Sequence, residues 1–272
     1  MNARHAALLA LCETDPGTKV AAARAFASLD SAVAIDPDEV IDEPPGVPGR
    51  PATPRLLEAL QVPSRSAFTT EGRAALLHAI AHIEFNAINL ALDVVWRFAG
   101  MPAEFYRDWL RVAAEEALHF DLLRTHLRTL GHDYGDYGDF DAHDGLWTMA
   151  ERTAADVLAR IALVPRTLEA RGLDATPPLQ AKFIKAGDLR AAGILGVILR
   201  DEIGHVAIGN HWYRWLCSQR GLDPETLYAE LVVTHQAPRL RAPFNFEARR
   251  AAGFSQAELD ALAVAAAPRV TP

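Results

Sequence analysis

Apolar residues recur every three or four positions along most of this chain, and alternating apolar–polar runs are nearly absent, so the pattern predicts an all-α protein. Four long helices stand out. The first is read over 71–98, with Leu77, Ala81, Ile88, Ala91 and Val95 on its apolar stripe, ending at the Gly100–Met101–Pro102 turn. The second covers 103–130, with Trp109, Val112, Ala113, Phe120, Leu123, Leu127 and Leu130 on its stripe, and stops at Gly131. The third, carrying Leu158, Ala162 and Pro165, runs to about Arg171. Gly172, Pro177 and Pro178 then predict a break over 172–178, and a short piece resumes over 179–185. Gly187 turns the chain, and Asp188 suits the N-cap of the fourth helix, 189–217.

Around these lie weaker elements. Two short helices open the chain, the second over 17–29 with Asp15 or Thr18 as its cap. Seven prolines (Pro37, Pro44, Pro45, Pro48, Pro51, Pro54 and Pro63) make 36–63 an extended arm, which Ile41, Leu56, Leu57 and Leu60 allow to lie on the core. The segment 132–143, rich in glycine, aspartate and tyrosine, is a connection. Ser255 and Glu258 form a capping box for a last short helix. The expected division is 1–66 for the N-terminal helices and arm, 67–220 for the four-helix bundle, and 221–272 for a C-terminal helical extension.

The 272 residues, half of them hydrophobic, suffice for one large core with extensions. No apolar run approaches the roughly 18–20 residues of a membrane span, and the first residues lack a cleavage site for a signal peptide. Only Cys12 and Cys217 are present, which fits a reducing, cytoplasmic setting. The net charge of −8 disfavours a nucleic-acid partner. Arg239, Arg241, Arg249 and Arg250 read as a solvated tail, while a local patch around Arg166 and Arg171 could still meet phosphate.

The chemistry lies inside the stripes. Glu116 and His119 fall on the apolar stripe of the second helix, and Glu202 and His205 repeat the same E-x-x-H spacing in the fourth. Residues three apart share a helix face, so each pair can touch one metal ion. Glu84 and Glu169 lie singly on the stripes of the first and third helices. Charged carboxylates on apolar faces cost several kcal/mol to bury and repel one another, and divalent cations remove both costs. Glu84 and Glu116 are 32 residues apart, Glu169 and Glu202 are 33, and each interval has a turn at its midpoint. In antiparallel pairs each lone glutamate then faces an E-x-x-H. One glutamate from each of two helices plus E-x-x-H from two others is the ligand set of di-iron carboxylate bundles.

Glu151, on the same face as Glu169 but roughly 27 Å away along a straight helix, is the rival for that ligand position. Glu115 and Asp201 are either partners for the second ring nitrogens of the histidines or solvated acids. His78, His82, His126, His211 and His235 read as surface or hydrogen-bonded histidines, and Tyr106, Trp96 and Trp109 as core.

Over 78–217 the chain resembles a bacterial ferritin-like family of uncharacterised function and, more distantly, the ferritin-like tRNA hydroxylases. The resemblance rests on H-I-E-F-N-A-I with Glu84, E-E-A-L-H-F with Glu116 and His119, Leu163–Val164–Pro165–Arg166, Leu168 to Asp174 with Glu169, and D-E-I-G-H-V with Glu202 and His205. It implies the fold and metal ligands at those positions and no substrate. In that fold the second and third helices run parallel, and 12 residues reach only about 40 Å. The regular third helix is therefore expected to begin near Thr153.

Two iron ions, or manganese, or a mixed pair, suit the donors, and open positions suit O2 chemistry. The first functional reading is an oxidase or hydroxylase acting on a small organic molecule. Its wall would be the break at 172–178, and a separate electron donor would serve it, since no flavin, nicotinamide or iron–sulfur motif is present. Iron handling (ferroxidase or peroxide scavenging) and a metal-stabilised binding module are the alternatives. The oligomeric state is not encoded legibly.

Overall fold

The computed structural model describes residues 2–28, 34–57, 66–136 and 142–266. Leu29, Leu60 and Pro63, and 137–141 of the connection, lie outside the described residues. Among the described residues the fold is all-helical apart from one two-residue parallel pair, Leu56–Leu57 (β1) with Ala142–His143 (β2). Two compact units make it up, one of Met1–Thr148 and Lys185–Ile194, the other of Met149–Ile184 and Leu195–Pro272.

In the first unit, α3 (Thr70–Arg97) and α4 (Ala103–Thr129) form a hairpin within two residues of the expected bounds. Thr69 caps α3 through the Gly72 N–H, and Gly131 ends α4 at φ +85°. Their apolar stripes face each other: Leu77, Ala81, Ile88, Val95, Ala113, Leu123 and Leu127 are all fully buried. By length and composition α3 could cross a membrane, but 78% of its apolar stretch is buried inside the fold.

Two short helices, α1 (Ala3–Cys12) and α2 (Pro16–Arg24, capped by Asp15), pack on α3 and α4 respectively. Arg4 is fully buried and donates to the carbonyls of Val95 and Trp96 at 3.1 and 2.8 Å, taking up the open end of α3. The same guanidinium holds the arm through the Asp36 and Glu39 carbonyls at 3.0 and 2.5 Å. Further along, the Gly49 N–H donates to the Leu11 carbonyl, so the arm runs against α1. A Cβ on Gly49 would sit 2.1 Å from the Cys12 carbonyl oxygen. Gly49→Ala is therefore expected to destabilise the chain by about 1–3 kcal/mol, read as a lower urea midpoint with an unchanged slope.

The second unit contains α6 (Val157–Leu163), a π-helical turn (Val164–Glu169), α7 (Ala170–Lys185), most of α8 (Leu189–Arg220), α9 (Pro224–Thr234), α10 (Phe246–Ala251) and α11 (Gln256–Ala266). Its core gathers Ala170, Leu173, Val206, Ala248, Ala252, Phe254 and Leu259. The capping box at Ser255 and Glu258 forms reciprocally, at 2.7 and 3.2 Å. Asp188, in the first unit, caps α8 through the Ala191 N–H at 2.9 Å.

Two expectations for the third helix are corrected. Helix α5 (Gly145–Arg152) occupies residues assigned to the crossing, and after a turn α6 starts at Val157, not Thr153. Residues 172–178 do not break: α7 passes through Pro177 and Pro178. Proline at 177 removes the N–H that would serve the Leu173 carbonyl. The Asn245 side-chain amide donates to that carbonyl instead at 3.2 Å, and the Thr176 hydroxyl bonds the Gly172 carbonyl at 2.7 Å. The irregularity lies earlier, at the π turn. There Pro165 lacks a donor and the Thr167 hydroxyl bonds the Ala162 carbonyl five residues back at 2.7 Å.

Candidate metal centre

Glu84 comes from the middle of α3, and Glu116 and His119 come from one face of α4. His119 Nδ1 lies 3.2 Å from Glu84 Oε2 and 3.3 Å from Glu116 Oε2. All three are buried: Glu84 is 5% exposed, Glu116 and His119 not at all. Burial pushes the Glu84 carboxyl up to about 7, and the Glu116 charge beside it adds to the shift. Burial works against a charged His119, but hydrogen bonds and charges from Glu116 and Glu84 outweigh it and hold its pKa well above the ordinary histidine value.

The donor set suits a divalent cation. Donors about 2.1 Å from such an ion lie roughly 3.0 Å apart on an octahedron and roughly 3.4 Å on a tetrahedron. The spacings of 3.2 and 3.3 Å fall within that span, and both exceed a good charge-assisted hydrogen bond of about 2.7–2.9 Å.

The repeat of the motif on α8 forms a second pair, His205 Nδ1 to Glu202 Oε1 at 3.4 Å, both buried. A Cβ on Gly172 would stand 4.0 Å from Glu202 Cγ, so the start of α7 lies against Glu202. Glu169, half-buried, closes the π turn three residues earlier. Within the first unit Glu84, Glu116 and His119 make a buried cluster that can hold metal. Glu169, Glu202 and His205 all belong to the second unit. Glu151 is exposed on α5. Glu115 and Asp201 are half-buried, and Asp201 pairs with its neighbour Arg200 at 2.8 Å.

Other singled-out residues have structural partners. His78 accepts the Gly135 N–H at 3.1 Å, His82 bonds the Tyr134 hydroxyl at 2.8 Å, and His126 pairs with Asp188 at 2.9 Å; all three are buried rather than at the surface. Arg166 is buried against Glu258 under the rings of Tyr213, Tyr228 and Phe254. Arg171 donates to the Arg241 carbonyl. Sequence reasoning passed over Lys19, Asn89 and Tyr134, which come together in the first unit. Asn86 and Asn89, two amides within the most apolar stretch of α3, were the available signal.

Residues 12–260 match the model of a family described as "Protein of unknown function (DUF455)". The chain belongs to this family. A Haemophilus influenzae protein described as "Uncharacterized protein" is 54% identical over 217 residues, covering 77% of this chain and 74% of that one. No solved structure matches the chain.

Proposed function

We propose that this DUF455 chain is a ferritin-like di-iron carboxylate protein that uses O2 to oxidise a small organic substrate. In this reading Glu84, Glu116 and His119 hold one ion, and Glu169, Glu202 and His205 hold the other. The observation that supports it most is the triad on the α3–α4 hairpin: two carboxylates and an imidazole, shut away from water among apolar side chains. Carboxylate and imidazole donors suit iron, manganese or a mixed pair. Bound, such a pair supplies the one-electron chemistry that O2 requires.

The chain's own residues do the rest. The apolar stripes exclude water, the hairpin fixes the donor spacing, and Glu84 and His119 exchange protons for metal. A separate electron donor serves turnover, because the chain carries no second redox motif. The net charge of −8 favours a small substrate over a nucleic acid.

The test is the pH dependence of loading. In the metal-free chain the raised Glu84 pKa stabilises the fold fully below about pH 4.5, and that contribution is lost as pH rises through about 7. The His119 contribution follows the same direction, lost only as pH rises through its own raised pKa. Ferrous iron added anaerobically in weak buffer should therefore release protons, and its affinity should rise by at least roughly tenfold from pH 6 to pH 8. Affinity independent of pH would contradict ligation by these residues. After loading, O2 uptake that continues with a chemical reductant supports an oxidase. Uptake that stops once the ferrous iron is consumed supports iron handling instead.

A further inference from the structure

We propose that the cavity lined by one face of α3, arm residues 50–52 and 54–56 and Tyr134 binds a small molecule through an oxyanion, a carboxylate or phosphate, carried on an apolar or aromatic body. The cavity is about 330 Å³, within the usual range for small-ligand sites. Its α3 wall is His82, Phe85, Asn86 and Asn89, spaced by three or four residues and so on one face. At about 100° per residue, Glu84 points the opposite way from that face. The cavity is therefore a separate site from the metal centre, across the thickness of α3, and it does not depend on the metal reading.

Three features call for an anion. The first is Lys19, which is fully buried behind the Asn89 and Phe85 wall. Its ammonium donates to the Leu11 carbonyl at 3.0 Å, the Gly49 carbonyl at 2.7 Å and Asn89 Oδ1 at 2.5 Å. Those three acceptors occupy all three ammonium protons and all are neutral; among the described residues no carboxylate is paired with it. Glu13 and Cys12 favour its charge without pairing with it, and an anion in the cavity would add to that. Burial, with Arg50 nearby, lowers the Lys19 pKa to about 7 against the opposing effect of Cys12 and Glu13.

The second is a pair of hydrogen-bond donors. Because Asn89 Oδ1 accepts from Lys19, the amide orientation is set, and Asn89 Nδ2 is left buried with no hydrogen-bond partner in the wall of the cavity. The Asn86 amide donates to His82 Nε2 at 2.9 Å, which places the His82 proton on Nδ1, toward the Tyr134 oxygen at 2.8 Å. The Tyr134 hydroxyl proton is then available to another acceptor, and burial keeps that proton on by raising the Tyr134 pKa.

The third is the rim. Arg55 is exposed there, and Arg50 reaches it while holding Asp144 at 2.8 and 2.9 Å. Phe85 and Tyr134 supply the apolar surface for the body of the ligand.

The test is calorimetric titration of the full chain with benzoate and, separately, with inorganic phosphate. Variants Asn89→Asp and Arg55→Ala are compared with Glu84→Gln. Asn89→Asp keeps the side-chain size, gives Lys19 a directly bonded carboxylate and removes the donor; Arg55 is exposed, so Arg55→Ala should leave the fold intact. At least one anion should bind with a Kd below about 5 mM. Each of the first two variants should weaken that binding by roughly tenfold, and Glu84→Gln should leave it unchanged. Tighter benzoate assigns a carboxylate on an aromatic body, and tighter phosphate a phosphate group. Neither anion binding below about 5 mM, or binding that both Asn89→Asp and Arg55→Ala leave unchanged, overturns the proposal.

Discussion

Anaerobic ferrous iron is expected to load the metal-free chain with about two ions and to raise its melting temperature by roughly 8–16 °C. The magnitude follows from linkage. Free metal at about a thousand times Kd adds about 4 kcal/mol to the folded state, and each kcal/mol moves the midpoint of a chain this size by roughly 2–4 °C. His119→Ala removes the donor that lies 3.2 Å from Glu84 and 3.3 Å from Glu116. It should abolish uptake at that position and most of the thermal shift, while far-ultraviolet circular dichroism stays helical. Glu169→Ala tests the second position and Glu151→Ala serves as the control, since Glu151 is exposed. Elemental analysis gives the stoichiometry. Uptake unchanged in both His119→Ala and Glu169→Ala, or lost only in Glu151→Ala, would sink the ligand assignment.

The second large effect is on stability and concerns no metal. Arg249, fully buried, donates to both oxygens of Asp174 at 3.0 and 2.6 Å and to the Ala170 carbonyl at 3.3 Å. Asp174 is itself 4% exposed and accepts the Asn245 N–H at 2.9 Å. Arg249→Ala leaves that carboxylate buried with one backbone donor. The expected loss is about 3–5 kcal/mol, because removing one partner of a buried pair strands the other charge. Calorimetry should show the melting temperature falling by roughly 10 °C. Replacing both partners, Arg249→Met with Asp174→Leu, should recover most of the loss, since the stranded charge is then gone as well. A double variant as unstable as Arg249→Ala would show that packing of the guanidinium against Phe244 and Phe254, not the ion pair, sets the effect.

Much of the helical layout was legible because its signals are local. The stripes of α3 and α4, the Asp15 and Asp188 caps, the Ser255–Glu258 capping box and the left-handed Gly131 each depend on residues within a turn or two of one another. The E-x-x-H pairs were legible for the same reason: three-residue spacing puts Glu116 beside His119 and Glu202 beside His205 in any α-helix. The meeting of Glu84 with His119 also followed, because a short turn forces α3 and α4 into a hairpin whose equidistant residues meet.

The proline reading failed where a distant group intervened. Gly172, Pro177 and Pro178 look like a break, and in isolation they would make one. The carbonyl that Pro177 strands is met by Asn245, 72 residues away in the chain, so α7 continues. The Lys19 ammonium likewise finds its oxygens on Leu11, Gly49 and Asn89, the last 70 residues distant. By itself the sequence determined where helices form and which acids and imidazoles share their faces, because helix periodicity acts within a few residues. Only the tertiary structure decided which stranded donors, acceptors and charges are satisfied, because a buried polar group takes its partner from whatever chain packs against it, at any separation in sequence.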